Sequence, residues 1–127
     1  MPLIIRKPVT LAAVLAVSLT APLAPVQAAP VTVPTATGEA QIETTPDTVA
    51  VFDIAAVDTI SALGVEIACV PNSLYLNRLN DVAQNATVVG TLFEPDFEAL
   101  ANLNPDLIIA GGRSSAQVEA LSRLAPT

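Results

Sequence analysis

The sequence predicts an α/β fold, a parallel sheet flanked by helices, and three observations predict it. Short apolar runs recur from Thr48 onward: Val49-Ala50-Val51-Phe52, Val65 to Val70, Thr87-Val88-Val89 and Leu107-Ile108-Ile109-Ala110. Mostly apolar rather than alternating, they fit strands buried on both faces, as in parallel sheets covered by helices. Segments of helical periodicity separate them, so strand and helix alternate along the chain. The connections run to about two to six residues, the length such units prefer.

Taken in order, Val49 to Phe52 is a strand of β-branched and aromatic residues. Ile54 to Leu63 follows as a helix, closed by Gly64 where a left-handed cap is wanted. Val65 to Val70 is the second strand, ended by Pro71-Asn72. Leu74 to Ala83 is the second helix, with Leu76 and Leu79 on one side and weakened by Asn77 and Asn80. Thr87 to Val89 is the third strand, stopped by Gly90. Asp96 caps a third helix in which Phe97, Leu100 and Leu103 recur at three-residue intervals, and Asn104-Pro105 ends it. Leu107 to Ala110 is the fourth strand, and Gly111-Gly112 turns the chain into a last helix. There Ser114 and Gln117 have the spacing of a capping box, and Val118, Leu121 and Leu124 share a face. Four such units are few for a doubly wound sheet, and Thr127 comes directly after a helix, where another strand is expected. The chain therefore reads as cut short.

The first 28 residues read differently. Arg6 and Lys7 precede an uncharged run from Val9 to Val26, and Val26-Gln27-Ala28 has small residues where a signal peptidase reads. That order is a secretory signal peptide. The competing reading, a transmembrane anchor, is disfavoured because Pro22 and Pro25 interrupt a run shorter than the roughly 20 apolar residues of a span. Residues 29–47, rich in Pro, Thr, Ala and Glu, are expected to be a flexible leader, with the folded unit over residues 48–127. Cleavage after Ala28 would leave Arg78, Arg113 and Arg123 against all twelve acids, a net charge of −9. Such a chain repels nucleic acid and anionic membranes. Cys69, the single cysteine, forms no internal disulfide, and no lipobox places it at a cleavage site, so a lipid anchor is unsupported. Among apolar neighbours it reads as a small buried hydrophobe. With no histidine to activate it, a reactive thiol is the weaker reading.

In open parallel sheets, ligands bind at the carboxyl ends of the strands. Four loops qualify: those around Asp53, Pro71 to Tyr75, Gly90 to Phe93, and Gly111 to Ser115. Arg113 is the cation at this edge, and it is poorly matched to the helix start beside it, which suggests an anionic partner. A solvated arginine, or one paired with a nearby acid, is the alternative. Glu94, Asp96 and Glu98 cluster before a helix, as metal ligands or acid–base groups would, but acids at a helix start commonly only match the dipole. The Gly-Gly-Arg-Ser-Ser run lacks the lysine and spacing of a phosphate-binding loop. Without histidine and with one cysteine, a zinc site or a catalytic triad is implausible.

Gly90-Thr91-Leu92-Phe93-Glu94-Pro95-Asp96-Phe97-Glu98-Ala99-Leu100, then Asn104-Pro105-Asp106-Leu107-Ile108-Ile109 and Gly111-Gly112-Arg113-Ser114, resemble the N-terminal lobe of periplasmic ferric-siderophore-binding proteins of ABC importers. The glutamate-to-Pro-Asp-Leu spacing is shared with the wider siderophore and cobalamin-binding superfamily. The Gly-Thr-Leu-Phe-Glu-Pro and Gly-Gly-Arg-Ser pieces, with Val51-Phe52-Asp53 and Ala62-Leu63-Gly64-Val65, look like the catecholate or mixed catecholate–carboxylate branch. The resemblance implies a non-enzymatic, periplasmic solute-binding protein, here a partial N-terminal lobe of a two-lobe fold. Its ligand would be a ferric siderophore that brings its own iron, so no cofactor or protein metal site is implied, and its partner would be the membrane permease.

Placed residue by residue, the resemblance makes Arg113 the contact to the anionic iron complex. It makes Asn72, Ser73 and Tyr75 the cleft-lining loop, with Tyr75 able to meet an aromatic ring of the ligand. Glu98 becomes the glutamate that docks on a permease arginine. The linking helix, the second lobe with its basic contacts and the second docking glutamate have no counterpart in the sequence. Cobalamin or haem delivery on the same scaffold remains an alternative, as do a truncated product without function and a secreted α/β hydrolase. Arg113 argues against cobalamin, which offers it little anionic surface.

Overall fold

Val49, Ala50, Val51 and Phe52 are all buried, and successive side chains point to opposite faces. Val49 and Val51 join one apolar cluster, with Ile54, Val57, Ile67, Val70, Leu79 and Leu92. Ala50 and Phe52 join another, with Cys69, Val89, Leu100, Ile108, Leu121 and Ala125. A strand with both faces covered requires helices on both sides, and the computed structural model, which describes residues 29–127, shows that arrangement. The expected signal peptide, residues 1–28, lies outside the described residues.

The main sheet holds β3 (Val49–Val51), β4 (Cys69–Val70), β5 (Thr87–Val88) and β6 (Leu107–Ile109), all parallel, in the order β5-β4-β3-β6. Ala50 pairs with Cys69 on one side and Ile108 on the other. Helix α1 (Ile54–Ala62) and the Asn77–Leu79 turn leading into α2 (Asn80–Asn85) contribute to the first cluster. Helices α3 (Phe97–Leu103) and α4 (Val118–Leu121) contribute Leu100 and Leu121 to the second. Full burial of such a leucine stabilises the fold by about 1.5–3 kcal/mol.

Local chemistry sets most boundaries. Asp53 caps α1, its Oδ1 accepting from the Ala56 amide at 2.9 Å. The helix ends at Gly64, whose φ of 73° is left-handed. Asp96 caps α3 in the same way, accepting from Ala99 N at 2.9 Å, and Asn104 at φ 48° ends it. Asp106 ties the start of β6 to the entry of β3: its Oδ2 accepts from Asp47 N at 3.1 Å and Thr48 N at 2.8 Å. On the surface, Arg78 donates to Asp58 across α1 and the 77–79 turn, Nη2 to Oδ2 at 2.7 Å, and this bond holds the Asp58 carboxyl below its usual range.

Four expectations need correction. Residues 31–42, expected within a flexible leader, form an antiparallel hairpin of β1 (Val31–Thr35) and β2 (Gly38–Ile42), Val31 opposite Ile42. The β-branched residues Val31, Thr32, Val33 and Thr35 favour strand, and Gly38 at φ 139° allows the tight turn. The second strand is shorter than expected, Cys69–Val70 with Ala68 N bonded to Val49 O at its entry (2.9 Å), while Val65 N donates to Ile60 O at 3.2 Å, closing α1. The second helix begins at Asn77 rather than Leu74, since Leu76 is extended (φ −96°, ψ 119°), and its first turn is 3₁₀. The last helix also opens with a 3₁₀ segment, Gly112–Gln117, and only Val118–Leu121 is α-helical. Ser114 sits three residues inside that turn. Its Oγ accepts from Gly111 N at 3.1 Å, while Gln117 turns away to another loop, so the expected Ser114–Gln117 box does not form.

Candidate functional site

Because the four strands are parallel, their carboxyl ends lie along one edge, and the loops after them meet there. Hydrogen bonds fix those loops to one another. Asn72 N donates to Gly90 O at 2.9 Å, joining the loops after β4 and β5. The Gly90–Pro95 loop is closed internally: Thr91 Oγ1 accepts from Phe93 N at 3.2 Å and Glu94 N at 2.9 Å, and Thr91 N donates to Glu94 O at 2.9 Å. Gln117 Nε2 donates to Phe93 O at 2.9 Å, tying this loop to the turn after β6. Gly90, at φ 87°, begins the loop, and a Cβ there would lie 2.6 Å from the Asp96 amide nitrogen. No other residue fits so close an approach of backbone to backbone.

At this edge lies a cleft of about 220 Å³. The end of β3 and start of α1 (Phe52 to Ala55), Tyr75, Leu92 and Gly111 to Arg113 line it. Arg113 and Tyr75 both line it. Tyr75 is 62% exposed. Arg113 is exposed as well. Arg78 pairs with Asp58 and Arg123 with Glu119, so Arg113 is the arginine without a carboxylate partner among the described residues.

Asn72 and Ser73 stand in the neighbouring loop, exposed, with Ser73 Oγ donating to Asn72 Oδ1 at 3.0 Å. They do not line the cleft itself. Glu98 lies in the first turn of α3, exposed to solvent and away from the cleft. Within its acidic cluster, Asp96 has a structural task as helix cap, which leaves Glu94 and Glu98 at the surface. Among the described residues, no group of three His, Cys, Asp or Glu side chains is placed to hold a metal ion. None of their helices is long and apolar enough to cross a membrane.

Sequence reasoning pointed to the loop around Asp53 but gave that residue no role. The structure puts its carboxylate in the cleft wall, half-buried, with Oδ2 turned toward the glycine pair before Arg113. The legible signal was its position at the carboxyl end of the central strand. Two larger hollows, about 520 and 470 Å³, flank the β1–β2 hairpin. Neither brings an arginine together with an aromatic ring, and the smaller cleft is the candidate for that reason.

No protein-family profile matches the chain. Over 92 residues it is 37% identical to the petrobactin-binding protein YclQ of Bacillus subtilis, a match covering 68% of this chain and 28% of that protein. It is 30% identical to the ferric-anguibactin-binding protein FatB of Vibrio anguillarum, covering 71% of this chain and 29% of that one. The fold matches the crystal structure of the periplasmic catecholate-siderophore binding protein VctP of Vibrio cholerae with a TM-score of 0.72 at 33% identity, over 78% of this chain and 36% of that one. The chain thus spans less than a third of the curated relatives it matches, and its sheet and helices correspond to part of a binding-protein lobe.

Proposed function

We propose that this chain, a homologue of bacterial siderophore-binding proteins over most of its length, supplies one wall of a ferric-siderophore site and serves an ABC importer as its solute-binding component. The observation that carries the reading is the unpaired Arg113 guanidinium beside Tyr75 in a cleft at the carboxyl edge of the sheet. A ferric catecholate complex offers anionic oxygens and aromatic rings. A guanidinium forms charge-assisted bonds to the first, and a tyrosine ring packs on the second. Asn72 and Ser73, in the loop that leads to Tyr75, add polar contacts to a ligand that reaches past the cleft. The iron is cargo, held by the siderophore's own oxygens, and the role is binding rather than catalysis. Export through cleavage after Ala28 belongs to the same reading.

Titration of the chain with a ferric tris-catecholate, followed through quenching of its single tyrosine, tests this. Saturable binding is expected, weakened about ten- to a hundredfold by Arg113→Ala, the range for a hydrogen bond to a charged group. Absence of binding, or binding untouched by the substitution, defeats the proposal. Glu98, exposed on α3 away from the cleft, is the docking residue in this scheme. Glu98→Ala should leave the titration unchanged and lower uptake of the iron complex by cells. Reduced affinity with normal uptake would refute that assignment.

A further inference from the structure

We infer that Asp53 makes the cleft selective, favouring iron complexes that carry a hydrogen-bond donor or cationic group beside their anionic centre. The inference rests on the siderophore reading and specifies its ligand class. Asp53 uses one carboxylate oxygen, Oδ1, to cap α1. The other, Oδ2, has no hydrogen-bond partner among the described residues. It lies 3.0 Å from where a Cβ on Gly112 would sit and 3.8 Å from one on Gly111. The free oxygen thus faces the glycine pair that leads into Arg113.

Asp53 and Arg113 line the same 220 Å³ cleft and form no ion pair with each other. A negative and a positive group therefore remain separately available to one ligand. Gly111 and Gly112 keep this corner open, since a side chain at 112 would press on the carboxylate. The helix cap alone does not call for a charge here, because asparagine and serine cap as well as aspartate. What the charge adds is discrimination. It repels a bare polyanion and accepts a bond from a protonated amine, hydroxyl or amide on the ligand.

The test compares two probes on the full chain: a ferric tris-catecholate, and the same complex bearing one protonated aminoalkyl arm. The unsubstituted chain should bind the amine-bearing complex about tenfold or more tightly, as one added hydrogen bond to a charged group predicts. Asp53→Asn and Asp53→Ser, which both retain a capping oxygen, should abolish that preference and bind the plain complex more tightly than the unsubstituted chain does. A merely structural role would weaken both complexes together. Equal affinities in the unsubstituted chain, a preference that survives in both variants, or a parallel loss for both probes would overturn the inference and leave the siderophore reading standing. If far-UV circular dichroism shows neither variant folded, the carboxylate is a structural group and the inference falls. Failure of the unsubstituted chain to bind either probe would overturn the siderophore reading itself.

Discussion

Gly90 shows how a single residue shapes the binding edge. Its backbone is left-handed, and the carbonyl of Glu94 and the amide of Asp96 crowd the side where a Cβ would project. Its own carbonyl meanwhile holds the Asn72 amide of the next loop. Substitution by alanine combines backbone strain with overpacking, each costing about 1–3 kcal/mol. Gly90→Ala should lower stability by about 2–4 kcal/mol and shift the urea midpoint accordingly. A shift below about 0.5 kcal/mol would mean that the Gly90–Pro95 loop relaxes freely, contrary to its closed hydrogen bonding. Gly112 differs, because the atom its Cβ would meet is the Asp53 carboxylate oxygen rather than backbone.

At the scale of elements, what could be read in the sequence followed burial. Val49–Val51 and Leu107–Ile109 were legible because strands covered on both faces must be apolar throughout. The end of α1 and both ends of α3 were legible because Gly64, Asp96 and Asn104 are residues whose chemistry starts or stops a helix. The hairpin was not legible: the main clusters contain none of its residues, and its Thr and Pro content matches that of an unstructured segment. The turn at Gln117 escaped for another reason. Its spacing from Ser114 satisfies a local rule, yet its amide is used by Phe93, 24 residues away in sequence. Within the site, Arg113 stood out through rarity of charge. Asp53 did not, since only the folded loops define the surroundings of its second carboxylate oxygen.

Cys69 offers a probe of the whole molecule. It lies on β4, fully buried, with Ala50 of β3 on one side and Thr87 of β5 on the other. Phe52, Leu100 and Leu121 belong to its cluster, so the α3–α4 layer must leave the sheet before a reagent reaches the sulfur. Burial also pushes the thiol's pKa up, which keeps it in the unreactive neutral form. The sign of the pH effect follows. The unfolded thiol ionises near its ordinary value of 9.0, and the folded one holds its proton to higher pH. This contribution to stability is therefore complete below that value and is lost as pH rises through the folded pKa. Labelling with an aromatic disulfide at pH 7.5 should be slow in native buffer and accelerate along the same urea curve as loss of helical dichroism. If the two curves coincide, sheet and both helical layers open as one unit. If labelling runs ahead, the α3–α4 layer detaches first, and with it the Gln117 bond that joins two loops of the binding edge.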